Sequence, residues 1–225
     1  LSREFILSDW AGHGALYDMG VYHISQLLYI MGLPKLERVS GQVYQEIDYK
    51  GRPASEAGMS VEEMGVGFAK YEGNITFDII ETWAIHMDEL GPGFIVGSKG
   101  GLKFTQDPGF MGRPATPSLK FFTTKGGDDI DIDLKLGSNA MGAMSDPMEH
   151  YYANEQEHWI GYLAGELPER IDTAQVALQT MLVSEGIFLS GKLGREVTAE
   201  EIAALSVSNA MRTQDTEWGR FEYTF

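Results

Sequence analysis

Glu63-Met-Gly-Val-Gly-Phe-Ala-Lys-Tyr-Glu-Gly-Asn-Ile-Thr-Phe-Asp-Ile-Ile-Glu-Thr-Trp-Ala-Ile-His-Met87 is the stretch that decides the fold. Two runs rich in β-branched and aromatic residues flank Glu72-Gly73-Asn74, a composition suited to a hairpin turn. In the second run Ile75, Phe77, Ile79, Trp83 and Ile85 fall on one side of a pleated strand, and Thr76, Asp78, Thr82 and His86 on the other. One side therefore faces a core.

The same period extends outward. Further β-rich runs cover 38–49, 94–96, 101–105, 119–124 and 130–136, with turn residues between them. Consecutive strands with short connections predict one open, mainly antiparallel sheet over 36–136, not the βαβ repeat of a doubly wound fold. The loop 106–118 holds three of the eight prolines and is expected to cross the edge or end of that sheet. Before the sheet, residues 14–32 are apolar almost all round and end at Gly32 and Pro34, which predicts a buried helix covered on nearly every side, in part by another domain. After it, Asp146-Pro147 and Asp172-Thr173 open two helices within 146–191, and the tail 200–225 reads as a short helix and an aromatic strand-like run. The fold class is α+β, with helices on one sheet face. No repeat or linker divides the chain, so residues 1–225 are expected to form a single domain.

Composition narrows the function. Hydrophobic residues make up 43%, aromatic 11% and charged 22%, which is globular usage and excludes collagen-like, disordered and disulfide-scaffold classes. The absence of cysteine removes disulfides, thiolate metal sites and a Cys nucleophile. Acidic residues number 33 against 17 basic, a net charge of -16 that repels phosphate backbones and anionic headgroups, so neither nucleic acid nor a membrane is an expected partner. No apolar run reaches the roughly 20 residues of a bilayer span, and residues 1–5 lack the features of a signal peptide. A soluble, cytoplasmic protein is expected. The start without Met suggests a piece of a longer one.

The chemical motifs mostly fail on context. Gly12-His13-Gly14-Ala15-Leu16-Tyr17 has two glycines of a dinucleotide fingerprint but Tyr at the third position, and no strand-turn-helix unit surrounds it. Gly97-Ser98-Lys99-Gly100-Gly101 lies among strands and lacks a phosphate-loop ending. His150 and His158 are about 12 Å apart along a helix, too far to share a metal. Asp128-Asp129-Ile130-Asp131-Ile132-Asp133 lacks the glycine a calcium loop needs and reads as an amphipathic strand. No cofactor-binding or metal site is expected within the chain.

The first helix carries the remaining signal. Asp18 and Tyr22 are four apart and share a helical face, with His23 the next residue round. An acid, a phenol and an imidazole in an apolar helix are costly to bury without partners or a task. Two readings stand. Asp18 favours the positive end of the helix dipole while Tyr22 and His23 are ordinary core residues, or the three form a site.

Gly14-Ala-Leu-Tyr-Asp-Met-Gly-Val-Tyr-His-Ile-x-x-Leu-Leu-Tyr-x-Met-Gly32 resembles the helix that opens the C-terminal domain of the glucose-fructose oxidoreductase/inositol dehydrogenase/rhizopine-catabolism (Gfo/Idh/MocA) family of NAD(P)-dependent enzymes. Phe94-Ile-Val-Gly-Ser-Lys-Gly-Gly-Leu-Lys-Phe104, following the hairpin 68–77, is similar to that family's sheet motif, and 157–197 resembles its closing helices. The resemblance implies the C-terminal half of a two-domain oxidoreductase whose Rossmann half, glycine fingerprint and lysine lie outside these residues. That half would bind NAD or NADP. The resemblance further implies hydride transfer with a sugar or polyol, with Tyr22 as proton donor or acceptor and Asp18 orienting the substrate hydroxyl or the lysine. The family's pattern is Asp-x-Gly-x-His/Tyr, matched here by Asp18, Gly20 and Tyr22. His23 falls one residue late, and His13 stands where glycine is common; both are candidates to line the substrate cleft. Phenols titrate near 10, so Tyr22 would need a nearby cation, plausibly that lysine. The fragment alone is not expected to turn over. The alternative is a non-catalytic assembly or ligand-binding module of the same fold. The sheet face carrying Thr76, Ile80, Thr82 and Ala84 has no remaining helix to cover it, and a homodimer or dimer of dimers through that face is expected.

Overall fold

In the computed structural model, residues 3–48, 56, 58–88, 90–107, 116–134, 155–167, 171–207 and 213–222 are described. They group into two compact units, Leu1–His86 with Thr173–Phe225, and Met87–Asp172. The α+β class holds: antiparallel sheets with helices.

In the first unit the quoted hairpin forms as its pattern requires. Strand β2 (Met64–Tyr71) pairs with β3 (Ile75–Thr82) in a register running from Met64 opposite Thr82 to Tyr71 opposite Ile75. The turn between them places Gly73 and Asn74 at φ 74° and 61°, the left-handed region these residue types tolerate best. β1 (Leu36–Tyr44) pairs on the other side of β2, with an irregularity between Leu36 and Arg38, and β8 (Val197–Thr198) adds to β1. The order is β3-β2-β1-β8.

Helix α6 (Thr173–Leu193) lies across β1 and β2. It can come so close because the strands present hydrogen atoms there: a Cβ at Gly67 would sit 2.3 Å from Ile187 Cγ1. The Gly41 amide donates to Ser190 Oγ at 2.9 Å, a further tie between strand and helix. Leu16, Ile24, Leu28, Val39, Val183 and Ile187 are sealed from solvent at the centre of the core. A second short helix, α7 (Ala199–Leu205), starts at a capping box in which the Thr198 hydroxyl accepts from the Glu201 amide while the Glu201 carboxylate accepts from the Thr198 amide. The opposite sheet face exposes Tyr44, Phe68 and Ile80.

The second unit holds a separate sheet. β4 (Phe94–Gly97), β5 (Gly100–Asp107), β6 (Thr116–Lys125) and β7 (Asp128–Leu134) pair antiparallel in that order. α5 (Glu155–Leu163) belongs to the same unit. The single sheet expected over 36–136 is thus two four-stranded sheets. The physical reason lies after Thr82: Trp83 to Asp88 are not strand, and the Thr82 hydroxyl turns back to accept the Ala84 amide and donate to the Ala84 carbonyl. The expected helix start at 146 and the centre of the loop 106–118 lie outside the described residues.

The first helix also departs from expectation. Short helices α1 (Arg3–Ile6) and α2 (Ser8–Ala11) precede it, and it is broken into α3 (Ala15–Asp18) and α4 (Gly20–Ile30) at Met19. The Tyr22 amide bonds the Met19 carbonyl three residues back, not the Asp18 carbonyl four back. Asp18 and Tyr22 therefore do not share an unbroken ladder. Within this chain Met19, Tyr22, Tyr29 and Ile30 are exposed while Gly20, Ile24 and Leu28 face the core.

Candidate active site

The start of α3 is seated on Glu62. The Ala15 amide donates to the Glu62 carbonyl at 3.2 Å and the Leu16 amide to Glu62 Oε1 at 3.3 Å, which satisfies two of the donors a helix leaves open at its first turn. Gly14 lets the two backbones meet.

The four candidate side chains, His13, Asp18, Tyr22 and His23, divide between two places. His13 turns inward. Its Nε2 lies 3.1 Å from Glu185 Oε2 on α6, its Nδ1 3.9 Å from Glu62 Oε2, and its ring centre 3.9 Å from that of Phe188 at a tilt of 49°. Tyr17 donates to the same Glu185 oxygen at 2.7 Å. The bond from His13 holds the Glu185 carboxyl below its ordinary range in spite of partial burial, with Tyr17 adding to the effect. Burial, followed by the bond and charge of Glu185, pushes the Tyr17 phenol well above its ordinary value. This cluster locks α3 to α6.

Asp18, Tyr22 and His23 gather instead where β3 ends. Trp83 donates its Nε1 hydrogen to Asp18 Oδ2 at 2.8 Å. His23 Nδ1 lies 2.8 Å from Glu81 Oε1, with the histidine side chain 61% exposed and the glutamate 9%. Burial raises the Glu81 carboxyl, and the bond to His23 partly offsets it. Tyr22 is 68% exposed on the same short helix segment. The fold thus anchors the acid and the imidazole to the chain around the end of β3 and leaves the phenol of the adjacent Tyr22 open to solvent. Proton exchange with a hydroxyl-bearing ligand is chemistry this set can perform. Among the described residues, no group of three or more His, Cys, Asp or Glu side chains is placed to hold a metal ion.

Sequence reasoning missed Glu81, Glu185 and Glu62. The signal for Glu81 was present: it falls at the inward parity of β3, between Ile79 and Trp83, where a carboxylate has no reason to be unless something meets it. Glu185 interrupts the apolar run of α6 in the same way.

Solved structures share this fold. An aldose-aldose oxidoreductase from Caulobacter crescentus, complexed with glycerol, superposes with a TM-score of 0.54 at 16% identity, over 85% of this chain and 49% of that one. An oxidoreductase domain protein from Kribbella flavida gives 0.61 at 18% identity, over 88% and 53%. A levoglucosan dehydrogenase in complex with NADH and levoglucosan gives 0.62 at 15% identity, over 88% and 53%. The chain spans about half the length of the structures it matches. Comparison with curated proteins by sequence gives no match. The likeness is one of fold: an α+β domain of antiparallel sheets with helices. Residues 3–103 match the family model described as the GFO/IDH/MocA C-terminal domain.

Proposed function

We propose that this chain is the substrate-binding and oligomerisation domain of an NAD(P)-dependent oxidoreductase that moves a hydride between a sugar or polyol carbinol carbon and nicotinamide. The observation that carries the reading is the start of α4, where Tyr22 stands open next to His23, which is held by Glu81 of β3, while Asp18 is held by Trp83 just beyond that strand. Its chemistry suits hydroxyl groups. No Lys or Arg occurs between Arg3 and Lys35, so this place fits the nicotinamide end and a polyol, whereas the phosphates of a dinucleotide belong on a domain with a glycine fingerprint. When bound, the cofactor supplies or accepts the hydride. Tyr22 gives or takes the hydroxyl proton, Asp18 orients that hydroxyl or the lysine of the other domain, and His23 and His13 are the substrate-side residues. Of these two, His23 stands at the start of α4 and His13 is turned inward against Glu185.

The experiment is Tyr22→Phe in the whole enzyme. Turnover is expected to fall by roughly 10²- to 10⁴-fold, the usual loss for an acid–base group, with the melting temperature retained. Unchanged turnover removes Tyr22 from the mechanism. Asp18→Asn is its companion: a change in stability far larger than the change in rate assigns Asp18 to holding Trp83 alone.

A further inference from the structure

Glu81 near the end of β3 and Trp83 just beyond it both reach the first helix. Trp83 takes Asp18, and Glu81, two residues earlier on the same parity, takes His23. Glu81 approaches α4 at Gly20, where a Cβ would come within 3.4 Å of Glu81 Cγ. Its carboxylate is enclosed, and the His23 ring is mostly open. A neutral imidazole carries its single proton on one nitrogen, and the choice is set by the partner of the other. A free ring in water takes its own preference. A ring whose Nδ1 faces an acceptor-only carboxylate at 2.8 Å does not have that choice.

We infer that Glu81 is a positioning residue: it accepts a hydrogen bond from His23 Nδ1–H, fixes the Nδ1–H tautomer, and leaves the Nε2 lone pair on the open side of the ring as the acceptor for a substrate hydroxyl. The role of that acceptor toward a hydroxyl rests on the function proposed above; the tautomer does not. The pairing gives His23 a duty that its place one residue beyond the Asp-x-Gly-x-Tyr pattern does not supply. With Tyr22 exchanging the proton of the reacting hydroxyl, Nε2 would accept a hydrogen bond from a substrate hydroxyl and hold it in place, and the Glu81 carboxylate behind the ring would strengthen that acceptor.

Heteronuclear NMR of the histidine ring nitrogens in the 225-residue chain, at about pH 8 where imidazoles are neutral, reads the tautomer directly. The expected result is His23 with protonated Nδ1 and bare Nε2, reverting to the free-imidazole pattern in Glu81→Gln while the melting temperature stays close to that of the parent. A protonated Nε2 in the parent chain overturns the inference, and so does a tautomer unmoved by Glu81→Gln. His23→Gln serves as the assignment control. In the whole enzyme, Glu81→Gln is expected to lower kcat by about 10- to 100-fold with KM nearly unchanged, the scale of losing a group that orients a functional histidine. An unchanged kcat in an active enzyme overturns the acceptor role. Absence of any hydride transfer by the parent enzyme refutes the proposed function instead, and the NMR reading still decides the tautomer.

Discussion

Gly14→Ala tests how α3 is seated. A Cβ at this position would lie 1.9 Å from the Glu62 carbonyl oxygen and 3.0 Å from Val61 Cγ2. Carbon and carbonyl oxygen meet comfortably at about 3.3 Å, so the two backbones must part by about 1.4 Å. No side-chain rotation relieves a clash with a backbone atom. The parting breaks the Ala15 amide bond to that same oxygen, 3.2 Å long, and the Leu16 amide bond to Glu62 Oε1, 3.3 Å long. Ala15 and Leu16 are fully buried, so water does not replace these partners. An unsatisfied buried amide costs about 1–3 kcal/mol, and two at the lower half of that range give about 3 kcal/mol. For a chain of this size each kcal/mol lowers the melting temperature by about 2–4 °C, so a fall of about 6–12 °C is expected in calorimetry or thermal circular dichroism. Melting within about a degree of the parent would falsify the seating of α3 on Glu62.

The other predictions are more local. Glu185 has a lowered folded pKa, so its contribution is present above its ordinary value of 4.5 and is lost as pH falls through the folded value; urea unfolding at a series of acidic pH values should decline less steeply in Glu185→Gln than in the parent. Tyr17 has a raised folded pKa, so its share persists below 10.0 and drains away as pH climbs above it, and Tyr17→Phe should flatten that alkaline limb. Thr198→Ala, which dismantles the capping box, should cost about 1 kcal/mol, read as a drop of about 2–4 °C. Calorimetry of the 225-residue chain with NAD or NADP should give no saturable heat, and micromolar binding would reveal a site the missing fingerprint does not account for. Sedimentation should show a dimer or dimer of dimers burying more than about 1,500 Å² through the face carrying Tyr44, Phe68 and Ile80; a monomer at tens of micromolar refutes it.

What the sequence disclosed and withheld follows from the range of each interaction. The hairpin 64–82 was legible because alternation and its turn are written within a few residues, and every inward position read there is buried or half-buried. The Asp128–Leu134 strand was legible for the same reason. The division into two sheets was not, because strands separated by a short connection look alike whether or not they hydrogen-bond to each other. The break at Met19 escaped too: Met19 and Gly20 do not forbid a helix, and what interrupts the ladder is the seating of α3 on Glu62 and α4 beside Glu81, both distant in sequence. Of the candidate site, Asp18, Tyr22 and His23 were visible on the helix. Their anchors sit 58 and 65 residues away, and only the parity of Glu81 hinted at one of them.

The outermost strand of the second sheet leaves one more consequence. Among the described residues β7 ends the order β4-β5-β6-β7, so one row of its amides and carbonyls faces away from the described strands of that sheet, the template on which chains stack into aggregates. Asp128, Asp129, Asp131 and Asp133 crowd that margin with like charge, relieved only in part by Lys120 at 3.1 Å from Asp131. Two copies brought edge to edge would confront their carboxylates along the full strand. The margin repels its own image, so edge-to-edge association should be suppressed at low salt and favoured at high ionic strength, where that repulsion is screened.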